Sequence, residues 1–312
     1  MTMRMTPKAV VIGSLVILAA VVFVMVYWPF ATRVEQPSEL FRNRSTDEAA
    51  GREFYIANGC VYCHTQSIRT IDWGHGAERI AQAGDYVADR PILLGSERTG
   101  VDLSQEGGEH PDDWHLAHFV NPRHTRPNSI MPIFAWLGRE NLHTLTCYVQ
   151  SLGLKQSDHR MERQRYWKQE AIKAYEAGPV ANVKWLADHV PPGWRNLANP
   201  YPTSAAGLAR GHKIFQDFCI GCHGPVGDGM GEAQPYLYPP PLNFTILKGR
   251  EISGGILYYQ IMNGITGTAM PYFKRELESE KIWDVGNYVA VNFINQSDAG
   301  GEPRGIPAAY EP

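Results

Sequence analysis

Ala9 to Phe30, "AVVIGSLVILAAVVFVMVYWPF", is apolar throughout and carries no charged residue. At a rise of about 1.5 Å per residue it forms a helix of roughly 33 Å, enough to cross a bilayer. Arg4 and Lys8 precede it, which places the N-terminus in the cytoplasm, and Tyr27 and Trp28 fall at the outer interface. A cleaved signal peptide has a shorter apolar region, about 7–15 residues, and then small residues around its cleavage site. This run is longer and ends in bulky "YWPF". It therefore reads as an uncleaved anchor. Residues 9–30 face lipid, and the chain beyond Arg33 lies on the periplasmic side of a bacterial inner membrane.

Beyond the anchor the apolar spacing is helical. "GREFYIANGC" and "GHKIFQDFC" read as short amphipathic helices, each leading into a cysteine. "ENLHTLTCYVQSL" and "SEKIWDVGNYVAVNFI" are two further amphipathic segments, each with an aromatic–valine pair. Between the two sets, "DHRMERQRYWKQEAIKAYEAG" is dense in charge and reads as an exposed helix of about five turns, ended by Gly178-Pro179. "VPPGWRNLANPYPTS" reads as an extended linker packed on something. These patterns predict a mainly α chain. It has an anchor at 1–30, a polar tether at 31–50, a first unit at 51–155, a charged helix and Pro-rich linker at 156–203, a second unit at 204–298 and a tail at 299–312.

Charge narrows the partners. The net charge of −3 comes without a basic patch interleaved with aromatics, so no nucleic acid partner is expected. The acidic faces of the two units could instead steer a basic partner. The five cysteines, Cys60, Cys63, Cys147, Cys219 and Cys222, are an odd count, which fits poorly with a pure disulfide framework. Four of them form "CVYCH" and "CIGCH", with His64 and His223 as the closing residues. Cys147 is left over and reads as a small buried hydrophobe.

The two copies share more than the motif. Each has a downstream Met-Pro, at Met131 and Met270, and then the second amphipathic helix. Tyr148 follows Met131 by 17 residues and Tyr288 follows Met270 by 18, so one plan is used twice. A zinc site would want a second Cys or His pair at finger spacing, and a thioredoxin-like redox pair would want a βαβ setting; neither is present in the pattern. Two thiols spaced this way add across the vinyl groups of haem, and the adjacent imidazole binds the iron. A distant methionine closes the sixth position, which suits electron transfer. The reading is two covalent haems c, on Cys60 and Cys63 with His64, and on Cys219 and Cys222 with His223. Met131 and Met270 are the candidate sixth ligands. Met230, in "GDGMGE", is an alternative in the second unit, as are His75, His110, His115, His118, His124 and His143 in the first.

The order of helix, motif, loop, methionine and helix resembles the class I cytochrome c fold, so the fold class expected is a transmembrane helix followed by two such domains. "GREFYIANGCVYCHTQSIRT", "GDYVADRPILLGSERTGVDL" and "DDWHLAHFVNPRHTRPNSIMPIFAWL" resemble subunit II of the cbb3-type cytochrome c oxidases, over about residues 8–155. That resemblance implies attachment at Cys60 and Cys63, axial His64 and Met131, and Arg98, Trp114, His115 and Arg123 near the haem edge or partner. Val101 stands where the family pattern has proline. "CIGCHGPVGDGMG", "PPPLNF" and "AMPYF" resemble the small cytochromes of subunit III of the same oxidases, so the chain looks like a fusion. The function implied is a dihaem electron-transfer subunit, non-catalytic itself, of a membrane haem–copper terminal oxidase. It would relay electrons from a periplasmic donor, a soluble cytochrome c or a quinol-oxidising complex, to a catalytic haem–copper subunit with b-type haems. A nitric oxide reductase subunit and a free-standing tethered carrier are the alternatives. The second unit, on an outward linker, is expected to receive electrons and the first to pass them on.

Overall fold

The computed structural model describes residues 6–32, 36–70, 79–95, 98–201, 203–248 and 252–294. Arg4, residues 33–35 of the tether, His75 and the tail 299–312 lie outside the described residues. Among the described residues the chain is helical and contains no β-strand.

Helix α1 runs Pro7–Thr32 and none of its apolar window is buried, as expected of a segment whose partner is lipid. Thr6 caps it by accepting the Ala9 N–H at 3.3 Å, and Pro7 occupies the first turn, where its missing N–H costs nothing. The ladder slips into a π turn at Phe23–Tyr27 before the aromatic end.

The first unit is built on α2 (Thr46–Ala57), α3 (Asp112–Val120) and α4 (Gly138–Gln150). A capping box starts α2: Ser45 Oγ accepts the Glu48 N–H at 3.3 Å, and Glu48 accepts the Ser45 N–H at 2.7 Å. Tyr55 on α2 and Tyr148 on α4 meet edge to face at 5.2 Å, inside a core with Leu142, Leu145 and Val149. The second unit repeats the arrangement. After α5 (Lys155–Glu176) and α6 (Pro179–Asp188), α7 (Ala205–Ile214) continues through a π turn at Phe215–Cys219 into Ile220–His223. It packs on α9 (Ser279–Val289), with α8 (Gly254–Asn263) behind, around Phe215, Tyr258, Trp283 and Phe293.

Both helix pairs cross at a glycine. A Cβ on Gly51 would lie 2.1 Å from the Thr144 carbonyl oxygen and 2.8 Å from Tyr148 Cβ. On Gly211 it would lie 2.2 Å from the Asp284 carbonyl oxygen and 2.8 Å from Tyr288 Cβ. The backbones approach so closely that only glycine fits, and the duplicated tyrosines cover the crossing from the partner helix. Asp284, buried beside the second crossing, is paired by Arg210 Nε at 2.7 Å, which satisfies a charge that would otherwise be costly there.

The segment between the units is not a free spacer. Ser157 and Ala171 on α5 are buried. Arg160 donates to the Gly107 and Gln105 carbonyls at 2.7 and 2.9 Å, fastening α5 to the first unit. The Gln164 amide donates to the Gly108 carbonyl at 3.2 Å and accepts the Gly267 N–H of the second unit at 2.7 Å. Helix α6 lies on the second unit, where Gln260 reaches the Leu186 carbonyl at 2.9 Å. The sequence pattern makes α5 an exposed helix because its outer faces are charged. Its inner face is narrow and polar, and it packs by hydrogen bonds that no apolar stripe announces.

Replacing Gly51 or Gly211 by valine drives a branched side chain into the facing backbone. Each should cost roughly 1–3 kcal/mol or more, read as a lower thermal midpoint by circular dichroism of the full chain. Gly193→Ala, where nothing lies within 4 Å, is the control and should melt as the native protein does.

Candidate functional site

In the second unit, Cys219, Cys222, His223 and Met270 line one cleft. It encloses about 1180 Å³ including its open mouth. Its walls are mainly apolar: Phe218, Phe244, Leu257, Phe273 and the Pro239–Leu242 run from the second unit, Trp185 and Leu186 from α6, and Trp114 from the first unit, which also supplies Thr125. His223 Nδ1 sits 3.2 Å from the Leu242 carbonyl oxygen, and its ring stacks on Phe244 at 4.5 Å. With Nδ1–H donating to that carbonyl, Nε2 is left as a free lone pair. Burial holds the His223 pKa down to about 4, so the ring is neutral at physiological pH. Burial likewise pushes the Cys219 and Cys222 thiols up to about 12. These are not the low-pKa thiols of a redox pair. Protonated thiols, an uncommitted imidazole nitrogen and a thioether in a largely apolar cleft fit a covalently held haem.

The first unit repeats the donor set on a more open surface. His64 Nδ1 lies 2.8 Å from the Val101 carbonyl oxygen, so valine at the position of the family's proline keeps this bond. The loop that delivers the carbonyl is tied to the motif. Gly100 N–H donates to the Cys63 carbonyl at 2.8 Å, and Leu103 N–H to the Thr65 carbonyl at 2.8 Å. Asp102 accepts from Thr65 Oγ1 at 2.6 Å and from the Ser67 N–H at 3.0 Å. Gly100 is required for this approach, because a Cβ there would come within 2.4 Å of the His64 ring. Cys60 and Met131 both pack against the core of this unit, and burial raises the Cys60 thiol to about 11. Around this site Tyr62, Ile130 and Trp136 are 77%, 77% and 70% exposed, an apolar rim left open among the described residues.

The methionine loops share a device that the sequence reading passes over. The Met131 N–H is accepted by Ser129 Oγ at 3.2 Å, and the Met270 N–H by Thr268 Oγ1 at 3.2 Å. The repeated Ser/Thr-x-Met-Pro string was the available signal. Arg123 completes the first loop by donating to the Met131 carbonyl at 2.6 Å. Met230 is 69% exposed in its turn and is absent from the cleft wall.

The histidines of the first unit have other neighbours. His110 Nδ1 lies 2.6 Å from Glu106 Oε1, and His115 is buried beside them. His118 Nδ1 bonds the Thr125 hydroxyl at 2.6 Å, His124 stacks on Tyr236 at 5.5 Å, and His143 Nε2 is 3.8 Å from Cys147 Sγ. Cys147 is only partly buried. Arg98 donates to the Ser67 carbonyl at 2.8 Å, beside the first motif. Trp114 reaches across to the second cleft.

The units meet along α3 and the loop after it. Arg126 pairs with Glu276 through two 2.5 Å bonds and lies 5.6 Å over the Phe218 and Phe273 rings. Asn128 donates to Asp217 at 2.9 Å, and the Tyr238 N–H donates to Asp113 at 3.0 Å. A Cβ on Gly221, inside the second motif, would lie 2.2 Å from the His124 carbonyl oxygen. The loop of residues 121–131 therefore touches the second motif at one end and supplies Met131 at the other.

Residues 2–184 match the family described as cytochrome c oxidase, mono-heme subunit/FixO. The chain belongs to this family. The matched span is wider than the quoted motifs and takes in α5. Residues 206–289 match a second family, cytochrome c oxidase, cbb3-type, subunit III. The chain is thus an electron-transport subunit of the respiratory chain, with cytochrome c-type domains that carry covalent haem c, and it associates with the catalytic subunit of the oxidase. Its apolar N-terminal helix and its family fit a single-pass membrane protein. No curated protein matches. Four chains of solved structures match. One is a chain of the reducing HAO-like protein complex of Kuenenia stuttgartiensis, at 18% identity and a TM-score of 0.29, over 83% of this chain and 100% of that one.

His118 generates a pH prediction. Burial, then His115 and His110, push its pKa down to about 3, against a smaller opposing pull from Glu106. Between about pH 3 and 6.5 the unfolded chain takes up a proton that the folded chain refuses. The contribution of this residue to stability is therefore intact at neutral pH and falls as the pH drops below about 6.5. At pH 5 the loss is at most about 2 kcal/mol. Denaturant midpoints measured between pH 7 and 5 should decline, and His118→Gln should flatten part of that slope.

Proposed function

We propose that the chain carries two haems c and relays electrons through them to the oxygen-reducing subunit of a cbb3-type oxidase. Cys60 and Cys63 would hold one, with His64 and Met131 as its iron ligands, and Cys219 and Cys222 the other, with His223 and Met270. The observation that carries this is the duplicated donor set: a Cys-x-x-Cys-His motif whose imidazole Nδ1 is engaged by a backbone carbonyl, followed by a methionine held at its N–H by a hydroxyl two residues earlier. Bound haem supplies a one-electron iron couple, and Met/His ligation leaves no position for substrate.

The residues of the chain orient and insulate. The Val101 and Leu242 carbonyls fix the ring planes and enrich the donor nitrogens. The apolar walls of the second cleft exclude water, and Arg123 and Ser129 hold the Met131 loop. The exposed rim of Tyr62, Ile130 and Trp136 supports docking of the first unit on the catalytic subunit, because apolar surface of this kind marks an interaction site. The second unit supports reception from a periplasmic donor, and its contact with the loop of residues 121–131 supports passage onward to the first. The anchor then holds the N-terminus in the cytoplasm and both units in the periplasm.

Pyridine haemochrome analysis of the purified chain should give two c-type haems per polypeptide, and one per polypeptide would overturn the assignment. Met270→His should lower the potential of one haem in a redox titration while leaving both attached, since thioether bonds do not depend on the sixth ligand. In the assembled oxidase the same variant should slow turnover with the donor. Unchanged turnover would make the second unit a side branch.

A further inference from the structure

A cluster outside both haem sites has the makings of a metal centre. Glu106, His110 and His115 converge where the loop after Leu103 runs into α3. His110 Nδ1 lies 2.6 Å from Glu106 Oε1. His115 Nε2 lies 3.7 Å from the same oxygen, beyond hydrogen-bond range. His115 is 2% exposed, and its Nε2 is a buried polar atom with no hydrogen-bond partner. Such an atom is costly unless something fills the gap in front of it. One ligand atom from each residue lies within 4.8 Å of the others. Trp114 stacks on His110 at 3.8 Å and meets His115 edge-on at 5.3 Å, which restrains both rings.

We propose that Glu106, His110 and His115 bind a divalent transition-metal ion of the zinc class. Two imidazoles and one carboxylate form a known zinc donor set, with a fourth position left for water. The absence of thiolate argues against Cu(I), and two nitrogen donors argue against Mg²⁺ and Ca²⁺. Ligand bonds of about 2.0–2.2 Å in a tetrahedral site put donor atoms about 3.3 Å apart. The 3.7 Å gap closes by a few tenths of an ångström, the 2.6 Å contact opens by less than about 1 Å, and the two imidazole donors, within 4.8 Å of each other, close by at most about 1.5 Å, within reach of side-chain rotation. The ion would tie the loop before α3 to the helix itself. That helix carries Trp114 and Ala117 into the cluster shared with Ala233, Leu237 and Ala269 of the second unit, so the ion would stiffen the platform on which the units meet.

The test is metal content of the full-length, haem-loaded chain after equilibration with zinc ion alone and dialysis. The native chain should retain one zinc per polypeptide. Glu106→Gln and His110→Phe, the latter keeping a ring against Trp114, should each weaken binding tenfold or more with the haem spectrum unchanged. X-ray absorption at the zinc edge of the native protein gives a second readout, independent of variant folding, and should show oxygen and imidazole nitrogen with no sulfur. Failure of the native chain to retain zinc, unchanged affinity in both variants, loss of binding in His143→Ala instead, or a sulfur ligand would each overturn the proposal.

Discussion

An imidazole N–H bonded to a backbone carbonyl, made once in each unit, is the contact from which the rest of the architecture can be reasoned. It needs a loop to come back to within 3.2 Å of the motif in the second unit and 2.8 Å in the first. It needs Gly100 beneath the first ring, where any side chain would collide. Asp102, Thr65 and the Gly100 and Leu103 N–H groups hold that loop in the first unit. In the second, the proline run before Leu242 and the Phe244 ring do the same by stiffness and stacking. Two unrelated loops thus arrive at one geometry, which argues that the donor orientation is the conserved requirement within this chain and the loop is free to vary.

The second constraint is the joining of the units. Coulombic and aromatic contacts converge on Arg126, which faces a carboxylate and two phenylalanine rings together. Gln164 and Asp113 each bond partners in two different parts of the chain. Such polar bridges gain little individually in water, but a set of them around an apolar patch fixes orientation. The arrangement of the two units is therefore specified by these directional contacts together with the apolar cluster of Trp114, Ala117, Ala233, Leu237 and Ala269.

Much of this was legible in the sequence. The duplicated Cys-x-x-Cys-His strings, the Met-Pro pairs and the aromatic–valine helices are local patterns, and they announced the mainly α architecture and the anchor. The glycines at the helix crossings were visible as Gly51 and Gly211 upstream of each motif, though not the reason for them. The role of α5 was hidden, because its inward residues, Ser157, Arg160 and Gln164, are polar and look solvated. Arg126 was hidden because its partners lie some 90 to 150 residues away in sequence, at Phe218 and Glu276. The Glu106–His110–His115 cluster was scattered among six histidines weighed as axial ligands, and only the fold shows which of them face one another.

The second cleft borrows Trp114, Thr125, Trp185 and Leu186 from outside its own unit, and every one of these residues precedes Cys219 in the chain. A polypeptide made from its N-terminus onward presents those walls before the motif they enclose. Biogenesis thus acquires a built-in sequence, in which the earlier module serves as a mould for the later one, and a gene fusion secures what two separate polypeptides would have to find by encounter.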